Sequence, residues 1–256
     1  MKILEKEFSP DGQIAILSIN RIEKRNAIND ELLLSIESSL DEMEDKVRCV
    51  IIQGKGDNFS AGLDLSEIKE RDLIEGLMHS RMWHRVMDKI QFAKWPIISV
   101  LKGAVIGGGL EIASASHIRI AENSAFFALP EAQRGIFVGG GASLRLPKLI
   151  GTARMMDLML TGRVYHVEEA ERYGLIQYIT PNEKGLEKAL ELAKRVLSNS
   201  ETTNFALTNI LPKIANSAHS EASMMESLIA AISSSSPEAK KRLDDFLQGR
   251  AKKVNG

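Results

Sequence analysis

The run Pro96-Ile97-Ile98-Ser99-Val100-Leu101-Lys102-Gly103-Ala104-Val105-Ile106-Gly107-Gly108-Gly109-Leu110-Glu111 joins an apolar strand to a helix through three consecutive glycines. Pro96 stops the helix before it, and Ile97 to Leu101 form a short continuous apolar segment of the kind buried on both faces of a parallel sheet. A helix follows near Leu110 to Ser116. Glycine at its start lets the backbone approach a ligand closely, and the exposed amides of a helix N-terminus attract an anion. A tight turn with positive φ would need the same glycines, so two readings stay open. Glu111 falls in the first helical turn, where the dipole favours a carboxylate whatever its role. No G-x-G-x-x-G frame fits, so this is not a dinucleotide fingerprint.

On either side of this run, strands and helices alternate. Gln13 to Asn20 has the alternation of a strand, and Asp30 reads as the N-cap of a helix carrying Leu32, Leu33, Ile36, Leu40 and Met43. Val47 to Gly54 is a β-branched strand. A long helix covers about Asp72 to Lys94 with Leu73, Leu77, Trp83, Val86, Met87 and Ile90, and short strands lie near His117 to Ala121 and Ala125 to Leu129. This order predicts an α/β fold with parallel strands. From Lys184 onward the patterns are only helical: Leu186 to Leu197, Thr202 to Ala215, Glu221 to Ile232 and Pro237 to Leu247. Residues 1–200 are therefore expected to form the core, and residues 201–256 a helical region for oligomerisation.

The 256 residues suffice for a substantial core, with 44% hydrophobic and 26% charged residues as in ordinary globular proteins. A net charge of −1 gives no basis for nucleic-acid or membrane-surface binding. Charge appears within a few residues of Met1, and no apolar run reaches the ~18–20 residues of a membrane helix. The expectation is a soluble, cytoplasmic protein. Cys49 is the single cysteine, in an apolar run, and reads as a buried small hydrophobe. His79 and His84 lack metal-ligand spacing, so no metal is expected.

Other segments have two readings each. Phe59-Ser60-Ala61-Gly62-Leu63-Asp64-Leu65 follows a buried strand with small residues that could lie against a ligand, but Ser60 is in no nucleophile elbow. Gly54-Lys55-Gly56 lacks phosphate-loop spacing, and Gly139-Gly140-Gly141 is a second turn or ligand cluster. Glu131, after Pro130, could be a surface acid. Trp83 could be core.

Together these segments resemble the crotonase (enoyl-CoA hydratase/isomerase) superfamily. Phe59 to Leu65 is similar to its first signature and Pro96 to Glu111 to its second. Arg25-Asn26-Ala27, Leu129-Pro130-Glu131, Leu158-Met159-Leu160-Thr161-Gly162-Arg163, Glu169-Ala170 and Gly174-Leu175-Ile176 complete the series in family order. The resemblance implies a spiral of ββα turns with a C-terminal helical region, assembled as a homotrimer or homohexamer. It implies an acyl-CoA substrate, with coenzyme A part of that substrate and no separate cofactor. Glu111 and Glu131 would be the catalytic pair, Glu111 activating water and Glu131 protonating C2. The amides of Ala61 and Gly108 would form the oxyanion hole, stabilising charge on the thioester oxygen. CoA contacts would come from Arg25, Asn26, Ala27, Ala61, Gly62, Leu63, Asp64 and Leu65, with Phe246 and Arg250 from the last helix of the same or a neighbouring subunit. Trp83 and Val138 would line the acyl pocket.

Two departures from the family pattern stand out. Ser116-His117 replaces a pair that usually ends in aspartate, and Val138 stands where many hydratases carry proline. The Gly135 to Gly141 segment, with Trp83-His84, resembles the methylthioacryloyl-CoA hydratase branch, in which thioester cleavage follows hydration. Hydration of a short 2-enoyl-CoA is the leading expectation. Thioester hydrolysis, double-bond isomerisation and non-catalytic CoA or RNA binding are the alternatives; retention of both carboxylates and the near-neutral charge favour hydration.

Overall fold

A computed structural model describes residues 2–67 and 70–250, without the side chain of Glu67. Residues 251–256 of the expected oligomerisation region lie outside them. The chain opens with β1 (Leu4–Phe8), β2 (Ile14–Ile19), α1 (Asp30–Asp41) and β3 (Cys49–Gly54). Next come α2 (Leu73–Gln91), β4 (Ile97–Leu101), β5 (Ala104–Ile106), α3 (Gly108–Ala115), β6 (Ile118–Glu122) and β7 (Phe126–Ala128). Then follow α4 (Ala142–Ile150), α5 (Thr152–Thr161), β8 (Tyr165–His166), α6 (Val167–Arg172), β9 (Tyr178–Thr180) and α7 (Gly185–Leu197). The chain continues through α8 (Glu201–Phe205), a π-helical segment Ala206–Ile210, α9 (Leu211–Ile214), α10 (His219–Ser235) and α11 (Pro237–Leu247).

Six strands form one sheet in the order β1-β2-β3-β4-β6-β9, parallel except for the β1–β2 pair. A second wall is built from the segments that follow these strands. It contains β5 and β7 in parallel with β8 at its edge, and the bridges Ser60–Val105 and Ile28–Leu63 extend it. Successive turns of chain thus add a strand to the large sheet and then a shorter piece to the second wall, which is the expected spiral. The amino-acid sequence hid β5: Lys102-Gly103 turns the chain so that Ala104–Ile106 leaves the large sheet.

Both faces of the parallel strands are covered, as their unbroken apolar runs require. Val50, Ile52, Ile97 and Leu101 join the main core with α1, α2 and α3, while Cys49, Ile51, Ile98, Val100 and Ile120 pack with Ala189, Leu192 and Ala193 of α7. Burial pushes the Cys49 thiol up to about 12, so it is an inert part of that layer. The α1 N-cap is Asn29 rather than Asp30, its side chain accepting from the Leu32 amide at 3.0 Å. Asp72 and Glu75 close a capping box at the start of α2.

The Ser116-His117 departure has a local explanation. His117 Nδ1 accepts from the Ile97 amide at 2.8 Å and Nε2 lies 3.0 Å from the Gln91 carbonyl, an acceptor. A neutral imidazole protonated on Nε2 satisfies both, and burial holds its pKa down near 4. A carboxylate could accept from Ile97 but could not donate to Gln91.

The C-terminal helices differ in burial from all of this. Neither α10 nor α11 buries a residue, and Met224, Leu228, Ile232, Leu243, Phe246 and Leu247 are exposed. No helix among the described residues is long and apolar enough to cross a membrane.

Candidate active site

The carboxyl ends of β5 and β7 and the Phe59–Leu65 segment meet at a cleft of about 290 Å³ lined by Leu63, Trp83, Gly108, Glu111, Glu131 and Val138, among others. Glu111 is placed by α3, which begins directly after β5. Glu131 is placed by the Pro130 turn after β7. The two acids, 20 positions apart in the chain, are brought together by the parallel pairing of those two strands.

Their environments differ. Glu111 is 4% exposed, and its Oε1 accepts from the amides of Gly140 at 2.8 Å and Ala142 at 3.0 Å. Burial raises its pKa to about 7; the two amides and Arg145 pull against that, and the nearby Glu131 adds to it. Glu131 is also raised, chiefly by burial. Its Oε2 is buried and has no hydrogen-bond partner among the described residues. Leaving a carboxylate oxygen without a donor is costly, in keeping with the upward direction of that shift. Burial thus raises both carboxyls above the usual carboxylate range, which suits acid–base work near neutral pH.

Glycine is required on both sides of the pair. A methyl group at Gly107, where φ is +53°, would stand 2.7 Å from Glu131 Oε1, and one at Gly140 would stand 2.6 Å from Glu111 Oε2. Trp83, 5% exposed, closes the cleft between the glycines: added methyls at Gly108 and Gly140 would meet its ring at 2.6 and 2.9 Å. Val138 is buried beside it, and Leu65, Ile136 and Phe137 give the mouth an exposed apolar lip.

The expectation for Ala61 needs correction. Its amide donates to the Arg25 carbonyl at 3.0 Å and is not free to bind a substrate oxygen. Two residues on, the geometry is different. Ile28 donates to the Gly62 carbonyl at 2.7 Å and accepts from the Asp64 amide at 2.8 Å, so the Leu63 amide between them points away from Ile28. It makes no hydrogen bond among the described residues, and neither does the Gly108 amide at the start of α3. A methyl at Gly62 would lie 3.6 Å from the Gly108 nitrogen, which brings the two unengaged donors to the same place. The alternation of a bridged strand, had it been applied to residues 60–64, would have pointed to Leu63.

Several expected CoA contacts have structural duties. Asn26 is fully buried; Oδ1 accepts from the Arg21 amide at 2.9 Å and Nδ2 donates to the carbonyls of Lys55 and Asn58 at 2.8 and 2.7 Å. With both side-chain N–H donors used and its oxygen accepting from Arg21, it staples two loops from a fully buried position. Asp64 is likewise spent on Arg21 and Lys24, both at 2.9 Å, and on Ser66. Those donors hold its carboxyl well below the usual range despite its burial. The Ala27 carbonyl accepts from Arg21 at 2.6 Å. Arg25 is exposed beside the cleft segment, and Gly62, Leu63 and Leu65 line the cleft itself. Phe246 and Arg250 do not line the cleft of their own chain; Arg250 pairs with Asp244 and Asp245.

Similarity to known proteins extends over most of the chain. A family model described as enoyl-CoA hydratase/isomerase matches residues 10–254. The short-chain-enoyl-CoA hydratase of Clostridium acetobutylicum is 35% identical over 77% of this chain and 76% of its own. The crotonyl-CoA hydratase of Syntrophomonas wolfei is 34% identical over 78% and 76%. A crystal structure from Rhodopseudomonas palustris CGA009, provisionally described as an enoyl-CoA hydratase, is 52% identical with a TM-score of 0.93, covering 97% of this chain and 95% of that one.

Proposed function

The chain belongs to the enoyl-CoA hydratase/isomerase family, and on that premise we propose that it adds water across the C2=C3 bond of a short-chain 2-enoyl-CoA. The observation that carries this reading is the pair of carboxyls on one cleft: Glu111 braced by two amides, and half-buried Glu131 with one buried, unpartnered oxygen. Isomerisation needs one proton shuttle, whereas hydration needs a group to deprotonate water and another to protonate carbon.

In this reading the thioester oxygen sits between the amides of Leu63 and Gly108, in place of the Ala61 and Gly108 pair. Water attacks C3 as its proton passes to Glu111, and the double-bond electrons move onto the thioester oxygen as an enolate. The two amides stabilise that charge where it develops, an effect of roughly 3–4 kcal/mol per donor. The enolate collapses, taking the Glu131 proton at C2. The proton on Glu111 then returns to Glu131, so the pair shares one proton over the cycle.

Trp83 across the end of the cleft supports a short acyl group, as do the names of the two relatives. The exposed apolar faces of α10 and α11 support assembly into a homotrimer or homohexamer, in which Phe246 and Arg250 would reach a neighbour's CoA. The test is a panel of 2-enoyl-CoA substrates of increasing length, following loss of enoyl absorbance together with thiol release. Short substrates should be consumed without free CoA. Thiol release matching enoyl loss would favour thioester hydrolysis, and better turnover of long chains would overturn the short-acyl reading.

A further inference from the structure

The oxygen of Glu111 that acts on water is placed by the other oxygen, and that one is held by a loop with no regular structure of its own. Gly139-Gly140-Gly141 precede α4, and the amides of Gly140 and Ala142 face Glu111 Oε1. Three glycines can adopt many conformations, so the direction of these amides must be imposed from outside.

Peptide planarity shows how. In a trans peptide the carbonyl of one residue and the amide of the next point in opposite directions. The Gly140 amide shares its plane with the Gly139 carbonyl, which accepts from Ser80 Oγ at 2.7 Å. The Ala142 amide shares its plane with the Gly141 carbonyl, which accepts from Arg145 Nη1 at 3.4 Å and from the amides of Leu144 and Arg145 at the start of α4. The same Nη1 holds the Gly140 carbonyl at 3.2 Å. Arg145 is itself fixed: it is 4% exposed, with Nε on Gln91 Oε1 at 2.7 Å and Nη2 on Asp88 Oδ1 at 2.6 Å. Pulling each carbonyl outward turns each amide inward.

We propose that Ser80 and Arg145 are positioning residues that set the two peptide planes bracing Glu111, and thereby fix where its free oxygen stands. The proposal rests on the hydration reading above and deepens it. Ser80 governs one plane alone, because the Gly139 carbonyl has no other donor among the described residues. Besides these, Glu131, Arg134 and His79 line the cleft, and Asp88 lies behind Arg145; a change at Ser80 leaves all of their charges as they are.

The experiment is a carboxyl infrared titration of Glu111, assigned by difference from Glu111→Gln, alongside the rate and pH profile of crotonyl-CoA hydration. Ser80→Ala should weaken the Gly140 amide contact, move the Glu111 midpoint upward, and lower kcat about tenfold with KM within about twofold. Ser80→Thr, which keeps the hydroxyl, should restore most of both. Arg145→Gln should move the midpoint further in the same direction, because it removes a cation as well as a clamp. An unchanged midpoint in Ser80→Ala overturns the proposal, whatever happens to the rate. Wild-type protein that fails to hydrate crotonyl-CoA would instead strike at the assigned reaction, and the titration would still decide the positioning role.

Discussion

Glu111 and Gly140 are fitted to each other twice. The Gly140 amide donates to Glu111 Oε1 at 2.8 Å, and the space a Gly140 side chain would fill lies 2.6 Å from Oε2. The loop after the Pro130 turn therefore supplies a donor and a void to the same carboxyl group.

Gly140→Ala is expected to drive its methyl into both Oε2 and the Trp83 ring, 2.9 Å away. The carboxyl must move by enough to spoil its aim, so kcat should fall by about tenfold or more while the protein stays folded. Steady-state kinetics on crotonyl-CoA with a thermal melt beside it check this.

The pKa of Glu111 carries a stability consequence. Burial raises it from 4.5 to about 7 in the folded chain, so between these values the native state holds a proton that the unfolded chain has released. Stability from this group is then present at pH 4.5 and is lost as pH rises towards 7, by at most about 3 kcal/mol. Glu111→Gln keeps an oxygen acceptor for the two amides without the charge. Its stability advantage over wild type should grow through that window and level off above pH 7, as read by urea melts at several pH values. Activity should be lost in the same variant.

Asn26→Ala separates structure from binding. It removes three buried side-chain hydrogen bonds and should cost about 2–4 kcal/mol, lowering the melting temperature. KM for the CoA substrate, measured on the folded fraction, should change little, because the side chain is fully buried and both its N–H donors are held by loop carbonyls.

The Leu63 and Gly108 amides predict a spectroscopic signature. Bound butyryl-CoA, which has no double bond to hydrate, should show its thioester carbonyl stretch at lower frequency than in water, because two fixed donors polarise it. An unshifted band would remove the oxyanion hole from the mechanism.

The α/β order is legible because it rests on local pattern, the apolar runs of β3 and β4, whereas the two glutamates are ambiguous by local pattern and are paired only by the family resemblance. What stayed hidden was set by the third dimension. The parallel bridge from Ile28 to Leu63, made by residues 35 positions apart, decides that Leu63 and not Ala61 offers a free amide. Asn26 resembled a ligand contact until its three partners, in loops far along the chain, were in view. Helical spacing puts Leu73 and Leu77 in the same apolar pattern as Trp83 and Ile90, yet both leucines are exposed and the buried residues of α2 run only from Trp83 to Ile90. Helical spacing gives a face but does not say how far along the helix the core extends.

The most direct test is the rate of crotonyl-CoA hydration by Glu131→Gln set against wild type. The amide keeps the shape of the side chain but cannot deliver a proton to C2. Wild type should consume the enoyl absorbance and form the 3-hydroxyacyl thioester, while the variant should be slower by about 10²–10⁴-fold with substrate binding retained. Hydration by Glu131→Gln at the wild-type rate would contradict the account.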